Sequence, residues 1–148
     1  MPTKTKKSLG NIPAPHLAHI AEAQRYLENA QKLLTENGKK DGDYYQDKKY
    51  VRMAGNTIWN GVLEALDGTL NLKATLKKGQ RADVKDYQMA IAKLDQKLGK
   101  NFVDAYTLIH LYMGYDGNRS YAVVKSGFDQ AKKIVAWCEI HTPKPTTK

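Results

Sequence analysis

The apolar pattern of one stretch, residues 43–67, constrains the fold more than any other part of the chain. Its apolar residues recur at alternating steps of three and four, which places them along one face of a helix. These residues are Val51, Ala54, Ile58, Gly61 and Ala65. Because several of them are small, neighbouring helices can approach this face closely. The stretch therefore predicts a long central helix, which we expect to end between Asp67 and Leu76.

The same helix carries a polar stripe next to its apolar face. The stripe consists of Asn56, Asn60, Glu64 and Asp67. A stripe of this kind is typical of the solvent-facing side of an amphipathic helix. We therefore predict that the stripe is the solvent-exposed face of the helix and has no further role.

Similar apolar spacing predicts four more helices. The first begins at Pro15 and ends near Asn37, the third lies between caps at Asp83 and Gly99, the fourth is capped by Asn101, and the last runs from Ser120 to about His141. No alternating strand pattern interrupts them. The chain is therefore predicted to be all-α, an antiparallel up-and-down bundle of four to five helices.

Chain length and charge indicate one mildly basic domain. A chain of 148 residues suits a single domain, which we expect at 14–141 between a flexible basic segment at 1–13 and a disordered tail at 142–148. The formal net charge is +9, and removing the five lysines of the two terminal segments leaves +4. Such a charge is weak support for nucleic-acid binding.

Cysteine content and hydropathy indicate a cytoplasmic protein. The single cysteine, Cys138, rules out an intramolecular disulfide and a structural zinc site, and we expect it to be buried. No apolar run approaches the roughly 20 residues that a membrane helix needs, and no signal core follows the N-terminal lysines. We predict no membrane association.

Motifs of known enzyme classes are absent from the sequence. It has no phosphate-binding loop, no dinucleotide-binding glycine motif and no zinc-protease or serine-hydrolase motif. His16 and His19 could place two metal ligands on one helix face, but the sequence places no carboxylate beside them. We predict no metal site and no other cofactor.

The best catalytic candidates come late in the chain. Tyr106 and His110 lie one helical turn apart, and Asp116 and Arg119 lie in the turn that follows. If these side chains converge, His110 could act as a base and Arg119 could bind an anion. The simpler interpretation, which we favour, is a packed histidine and an ordinary turn.

A second candidate site combines aromatic and basic residues. It consists of Tyr44, Tyr45, Lys48, Lys49 and Arg52. Tyrosine rings can stack on bases while lysines and arginines neutralise phosphates. This cluster keeps RNA binding open, although most of the other tyrosines fit the rim of a core better.

Three stretches together resemble a known group of helical bundles. They are AEAQRYLENAQKLL at 21–34, YYQDKKYVRMAGNTIWNGVLEAL at 44–66 and YTLIHLYMGYDG at 106–117. They resemble the HEPN (higher eukaryote and prokaryote nucleotide-binding) proteins, and specifically a small bacterial family of that shape with no assigned activity. The resemblance implies a four- to five-helix bundle that is commonly dimeric. HEPN ribonucleases have an arginine followed a few residues later by a histidine, which this chain lacks, so it looks like a non-ribonuclease member.

These observations lead to one hypothesis and two alternatives. The first is a non-enzymatic helical bundle that forms a homodimer and binds a partner macromolecule, either a protein or RNA. One alternative is an RNA- or nucleotide-associated protein of the toxin–antitoxin or defence type. The other is an enzyme with an unfamiliar site near Tyr106, His110, Asp116 and Arg119.

Overall fold

The computed structural model describes residues 14–70, 72 and 76–141. The predicted flexible segment at 1–13 and disordered tail at 142–148 lie outside these residues. The α-helices of the described part are α1 (Ala14–Leu33), α2 (Lys48–Thr69), α3 (Val84–Leu94), α4 (Gln96–Ala105) and α5 (Tyr121–Ile140). Two wider π-helical segments, Leu34–Gly38 and Tyr106–Tyr115, continue α1 and α4. The protein is therefore mostly helical, as the sequence predicts.

Helix α2 is the central element of the fold. Its predicted apolar face is buried along its whole length, and α1, α5 and the segment Tyr106–Tyr115 pack around it. A Cβ atom added to Gly61 would lie 2.9 Å from Tyr26 Cβ and 3.1 Å from the Ala23 carbonyl oxygen. The small residue is therefore required where α1 crosses α2. The helix ends at Thr69, within the range predicted for its end.

A small β-ribbon precedes α2, and the apolar pattern of the sequence does not predict it. Strands β1 (Lys40–Asp41) and β2 (Tyr44–Tyr45) pair antiparallel around Gly42, whose φ of 64° is in the left-handed region that favours glycine. Two-residue strands are too short to show an alternating pattern. The helix is capped by Asp47, whose carboxylate accepts a hydrogen bond from the Lys49 amide at 2.9 Å.

The boundary between α3 and α4 differs from the predicted one. Asp95 alone separates the two helices, and its carboxylate accepts the Leu98 amide hydrogen bond at 2.9 Å. This hydrogen bond is the main reason that the pKa of Asp95 is below its usual value. The predicted stop at Gly99 and cap at Asn101 are therefore wrong, because Asp95 satisfies the free amides earlier and both residues continue α4.

The core continues across all five helices to Cys138 on α5. This cysteine is buried, as predicted, and burial raises the pKa of its thiol to about 11. The thiol is therefore protonated at neutral pH and chemically inert. Among the described residues, none of the helices combines the length and the apolar character that crossing a membrane requires.

Candidate functional site

Two stretches that the sequence marks as functional candidates meet at one end of the bundle. The Tyr45 amide donates to the Arg119 carbonyl at 2.9 Å, and the Tyr121 amide donates to the Asp43 carbonyl at 2.8 Å. The Arg119 guanidinium also donates to the Tyr45 carbonyl at 3.4 Å. Gly117, with a φ of 65°, packs against the stems of Lys48 and Arg52. Residues 43–52 and 115–121 thus form one surface, which we call the basic end.

The predicted RNA-binding residues do not all reach this surface. Tyr44 is 57% exposed, whereas Tyr45 is only 6% exposed and has its ring in the core. The Lys49 ammonium lies 4.9 Å from the centre of the Tyr50 ring. Arg52 lines an open cleft of about 480 Å³ together with the exposed Tyr115. Tyr44, Lys48, Lys49 and Arg52 are therefore accessible to a ligand, and Tyr45 is not.

The four late candidates do not form one cluster. They are Tyr106, His110, Asp116 and Arg119. The rings of Tyr106 and His110 are 5.3 Å apart, and both pack against Trp59. Asp116 lines the open cleft at the basic end, and Arg119 contacts the backbone of the β-ribbon. The structure thus places the aromatic pair on Trp59 and the charged pair at the basic end.

A shallow groove lies between α3 and α4. It encloses about 580 Å³, and each helix contributes residues at positions i, i+3, i+4 and i+7. The lining residues are Lys85, Gln88, Met89, Ala92, Gln96, Gly99, Lys100 and Val103. Met89 is 59% exposed and Val103 is 43% exposed. Sequence reasoning missed this groove. One signal was available, because Met89 and Ala92 are apolar but lie outside the buried face of α3, which carries Tyr87 and Ile91.

Another cleft lies between α1, α2 and residues 76–87. It encloses about 620 Å³ and is lined by both polar and apolar residues. Its polar lining includes His19, Asn60, Glu64, Asp67, Gln80 and Arg81. Its apolar lining includes Leu63, Leu70, Leu72 and Leu76. We call it the α1–α2 cleft.

Both carboxylates of the α1–α2 cleft have a partner from another helix. His19 Nδ1 lies 2.6 Å from Glu64 Oε2, and the imidazole N–H donates because an ionised carboxylate only accepts. The Tyr87 hydroxyl donates to Asp67 Oδ1 at 2.6 Å. Burial, followed by this hydrogen bond, raises the pKa of Tyr87 well above its usual value, so the hydroxyl keeps its proton.

The two histidines that suggested a metal pair have different partners. His16 is buried, and its Nδ1 atom lies 3.1 Å from the Gly68 carbonyl oxygen at the end of α2. His19 instead bonds to Glu64. Within the described part of the chain, no cluster of three or more histidine, cysteine, aspartate or glutamate side chains could hold a metal ion.

Comparison with known proteins shows the family. No curated protein matches the chain. A solved structure of a protein of unknown function from Dyadobacter fermentans is 42% identical, with a TM-score of 0.77 over 83% of this chain and 95% of that chain. The profile of a domain of unknown function, DUF5618, matches residues 18–140. Because this match covers most of its length, the chain belongs to the DUF5618 family.

Proposed function

We propose that this protein is a non-enzymatic helical bundle that binds a partner macromolecule and also self-associates. The groove between α3 and α4 is the observation that supports partner binding. Its two walls each present residues at i, i+3, i+4 and i+7, an arrangement that suits a third helix lying between them. Exposed Met89 supplies a flexible apolar contact for such a helix. The partner is therefore an amphipathic helix.

The charges of the groove define the chemistry of that helix. Among the described residues that line it, Lys85 and Lys100 are the charged ones, and none is a carboxylate. A helix with carboxylates beside its apolar face would complement these two ammonium groups. A second copy of the same groove would instead bring lysine against lysine, which is unfavourable. The groove therefore takes an acidic partner helix, and self-association uses another surface.

Self-association is supported by apolar side chains that are exposed outside the groove. They include Tyr112 and Ile140. A symmetric homodimer is the commonest way for a soluble protein to cover such residues. The resemblance to HEPN bundles, which are commonly dimeric, agrees with this proposal.

A matched pair of methionine variants tests the groove. The probe is a synthetic helical peptide with leucines at i, i+3, i+4 and i+7 and flanking glutamates, and its binding is followed by fluorescence anisotropy. Met89→Glu should weaken binding at least about tenfold, or about 1.4 kcal/mol, because it adds a repelling carboxylate to the groove. Met53→Glu makes the same change on α2 and should leave the affinity unchanged. Equal affinities for the two variants would refute the assignment.

Light scattering on the same variants tests self-association. We expect a dimer at tens of micromolar for the original chain and for Met89→Glu. A strict monomer in both would contradict self-association. A dimer that is lost only in Met89→Glu would show that two copies meet through the groove, which would contradict its assignment to a partner.

RNA binding at the basic end is the second candidate, and the meeting of residues 43–52 with 115–121 favours it. Lys48 and Arg52 could neutralise phosphates while exposed Tyr44 and Tyr115 stack on bases. We expect affinity for single-stranded RNA to fall with salt, and neutralising Lys48 and Arg52 to reduce the slope of log affinity against log salt by about 1.4. A Lys93→Gln/Lys97→Gln variant serves as the control. Binding that is absent or insensitive to salt would exclude this function.

A further inference from the structure

A small cleft lies where α5, α1 and strand β2 meet. It encloses about 180 Å³. Its lining includes Gln31 of α1, Tyr45 of β2, and four residues of α5, which are Tyr121, Lys125, Asp129 and Lys132. The four recur at steps of three and four, so they lie on one face of that helix. We call this space the tyrosine cleft.

Tyr45 brings an unpaired hydroxyl group to the tyrosine cleft. The residue is closed to a ligand at the basic end and is only 6% exposed, yet no described residue forms a hydrogen bond with its hydroxyl. The hydroxyl is not sealed inside the protein either, because the sealed side-chain atoms without a partner in the described part belong to His16, His110 and Gln130. Since Tyr45 lines the cleft, its hydroxyl opens into it. Polar groups on buried side chains are nearly always hydrogen-bonded, so this hydroxyl calls for a partner in the cleft.

Tyr45 and Tyr121 present two hydroxyl donors to the same space. The centres of their rings are 6.3 Å apart. Burial is the main reason that the pKa of Tyr45 is raised, and the neighbouring Tyr121 adds to it. The Tyr45 hydroxyl therefore keeps its proton at neutral pH and can donate it to an acceptor.

The charges beside the tyrosine cleft favour an anionic acceptor. Lys125 Nζ lies 3.3 Å from Asp129 Oδ2, so these two charges offset each other. Lys132 forms no ion pair with any described carboxylate. The Lys40 ammonium lies 4.7 Å from the centre of the Tyr121 ring. Lys40 and Lys132 therefore leave two positive charges for a ligand.

We propose that the tyrosine cleft binds the phosphate group of a small molecule. The hydroxyls of Tyr45 and Tyr121 donate to phosphate oxygens. Lys40 and Lys132 balance the charge of the group, which is about −1.5 to −2 for a monoester at pH 7. The volume of about 180 Å³ is smaller than the roughly 300–1,000 Å³ of sites that enclose a whole drug-sized ligand. The cleft therefore holds the phosphate group alone, and the ligand is either inorganic phosphate or a phosphate monoester whose organic part stays outside.

This proposal rests neither on the groove nor on RNA binding. The groove is lined by α3 and α4. The RNA candidate uses Tyr44, Lys48 and Arg52 at the basic end. The Tyr45 hydroxyl and Lys132 serve neither of them, so their substitution tests the tyrosine cleft alone.

Calorimetric titration of the full chain at constant ionic strength tests the proposal. The probes are inorganic phosphate, glycerol 3-phosphate and uncharged glycerol, and we expect glycerol not to bind. Tyr45→Phe removes the hydroxyl and keeps the packed ring. It should weaken binding of the phosphate probes at least about tenfold, or about 1.4 kcal/mol, because the lost hydrogen bond has a charged acceptor. Tyr44→Phe makes the same change on the exposed side of the ribbon and should leave the affinity unchanged.

A pair of lysine variants separates a built site from general attraction between charges. Lys132→Gln and Lys133→Gln remove one positive charge each from neighbouring positions of α5, and only Lys132 lines the cleft. We expect Lys132→Gln alone to weaken phosphate binding, again by about tenfold. Circular dichroism confirms that each variant is folded.

The outcomes identify the ligand source and also expose failure. If glycerol 3-phosphate binds more tightly than inorganic phosphate, the ligand is a monoester, and otherwise it is free phosphate. The proposal is overturned if neither phosphate probe binds at millimolar concentration, or if glycerol binds as well as they do. Equal affinities within either matched pair of folded variants also overturn it.

Discussion

Replacing Gly55 by alanine is expected to lower the free energy of unfolding by about 2 kcal/mol or more, the range for overpacking a tight contact. A Cβ atom there would lie 2.6 Å from both the Gly114 amide nitrogen and Met113 Cβ. One of these atoms belongs to the backbone, so α2 and the segment Tyr106–Tyr115 must move apart. Alanine's higher helix propensity recovers only about 1 kcal/mol. Urea denaturation followed by circular dichroism measures the change.

Gly99 provides the matched control for this substitution. It lies inside α4, and a Cβ atom added there would meet only Ile91 Cγ2, at the ordinary contact distance of 3.9 Å. Gly99→Ala should therefore stabilise the protein by about 0.5–1 kcal/mol. If the two substitutions change stability by the same amount, α2 does not make the close contact that we describe.

The second large effect is expected for Phe102→Ala, which should cost about 3–5 kcal/mol. The Phe102 ring is fully buried, 5.5 Å from the Trp59 ring and 6.1 Å from the Tyr87 ring. It therefore connects α4 to both α2 and α3. Because α3 buries only Tyr87 and Ile91, this helix should loosen first. Urea denaturation gives the cost, and amide hydrogen exchange along α3 shows the loosening.

Val103→Ala, at the next position, is the control for this substitution. Val103 is half-exposed in the groove and contributes little to the core. Its replacement should change the free energy of unfolding by no more than about 0.5 kcal/mol, as is usual for surface positions. A loss as large as that of Phe102→Ala would mean that the groove is part of the core.

Helical periodicity predicted the core residues of α2 well. Apolar side chains at steps of three and four lie on one face of a helix, and that face is the one that packs into the core. The predicted face of α2 is buried, and its end at Thr69 lies within the predicted range. The boundary between α3 and α4 was missed because it depends on one capping side chain, Asp95. Apolar spacing continues almost unchanged across that residue, so periodicity does not reveal the break.

The candidate sites were harder to predict because their residues meet only in the folded chain. Glu64 and Asp67 look like a solvent-facing stripe until His19 and Tyr87 are placed opposite them by tertiary packing. Tyr45 is a similar case. Neighbouring residues of a strand point to opposite sides, so the β-ribbon exposes Tyr44 and buries Tyr45.

Charge reversal in the groove is the sharpest test of whether it binds an acidic helix. The double variant Lys85→Glu/Lys100→Glu reverses the sign of both charges in the groove and leaves its apolar lining intact. The original chain should prefer a peptide with glutamates beside its leucines to one with lysines in the same positions. The double variant should show the opposite preference. If it still prefers the acidic peptide, or if the original chain binds both peptides equally, the groove is not the binding site for an acidic helix.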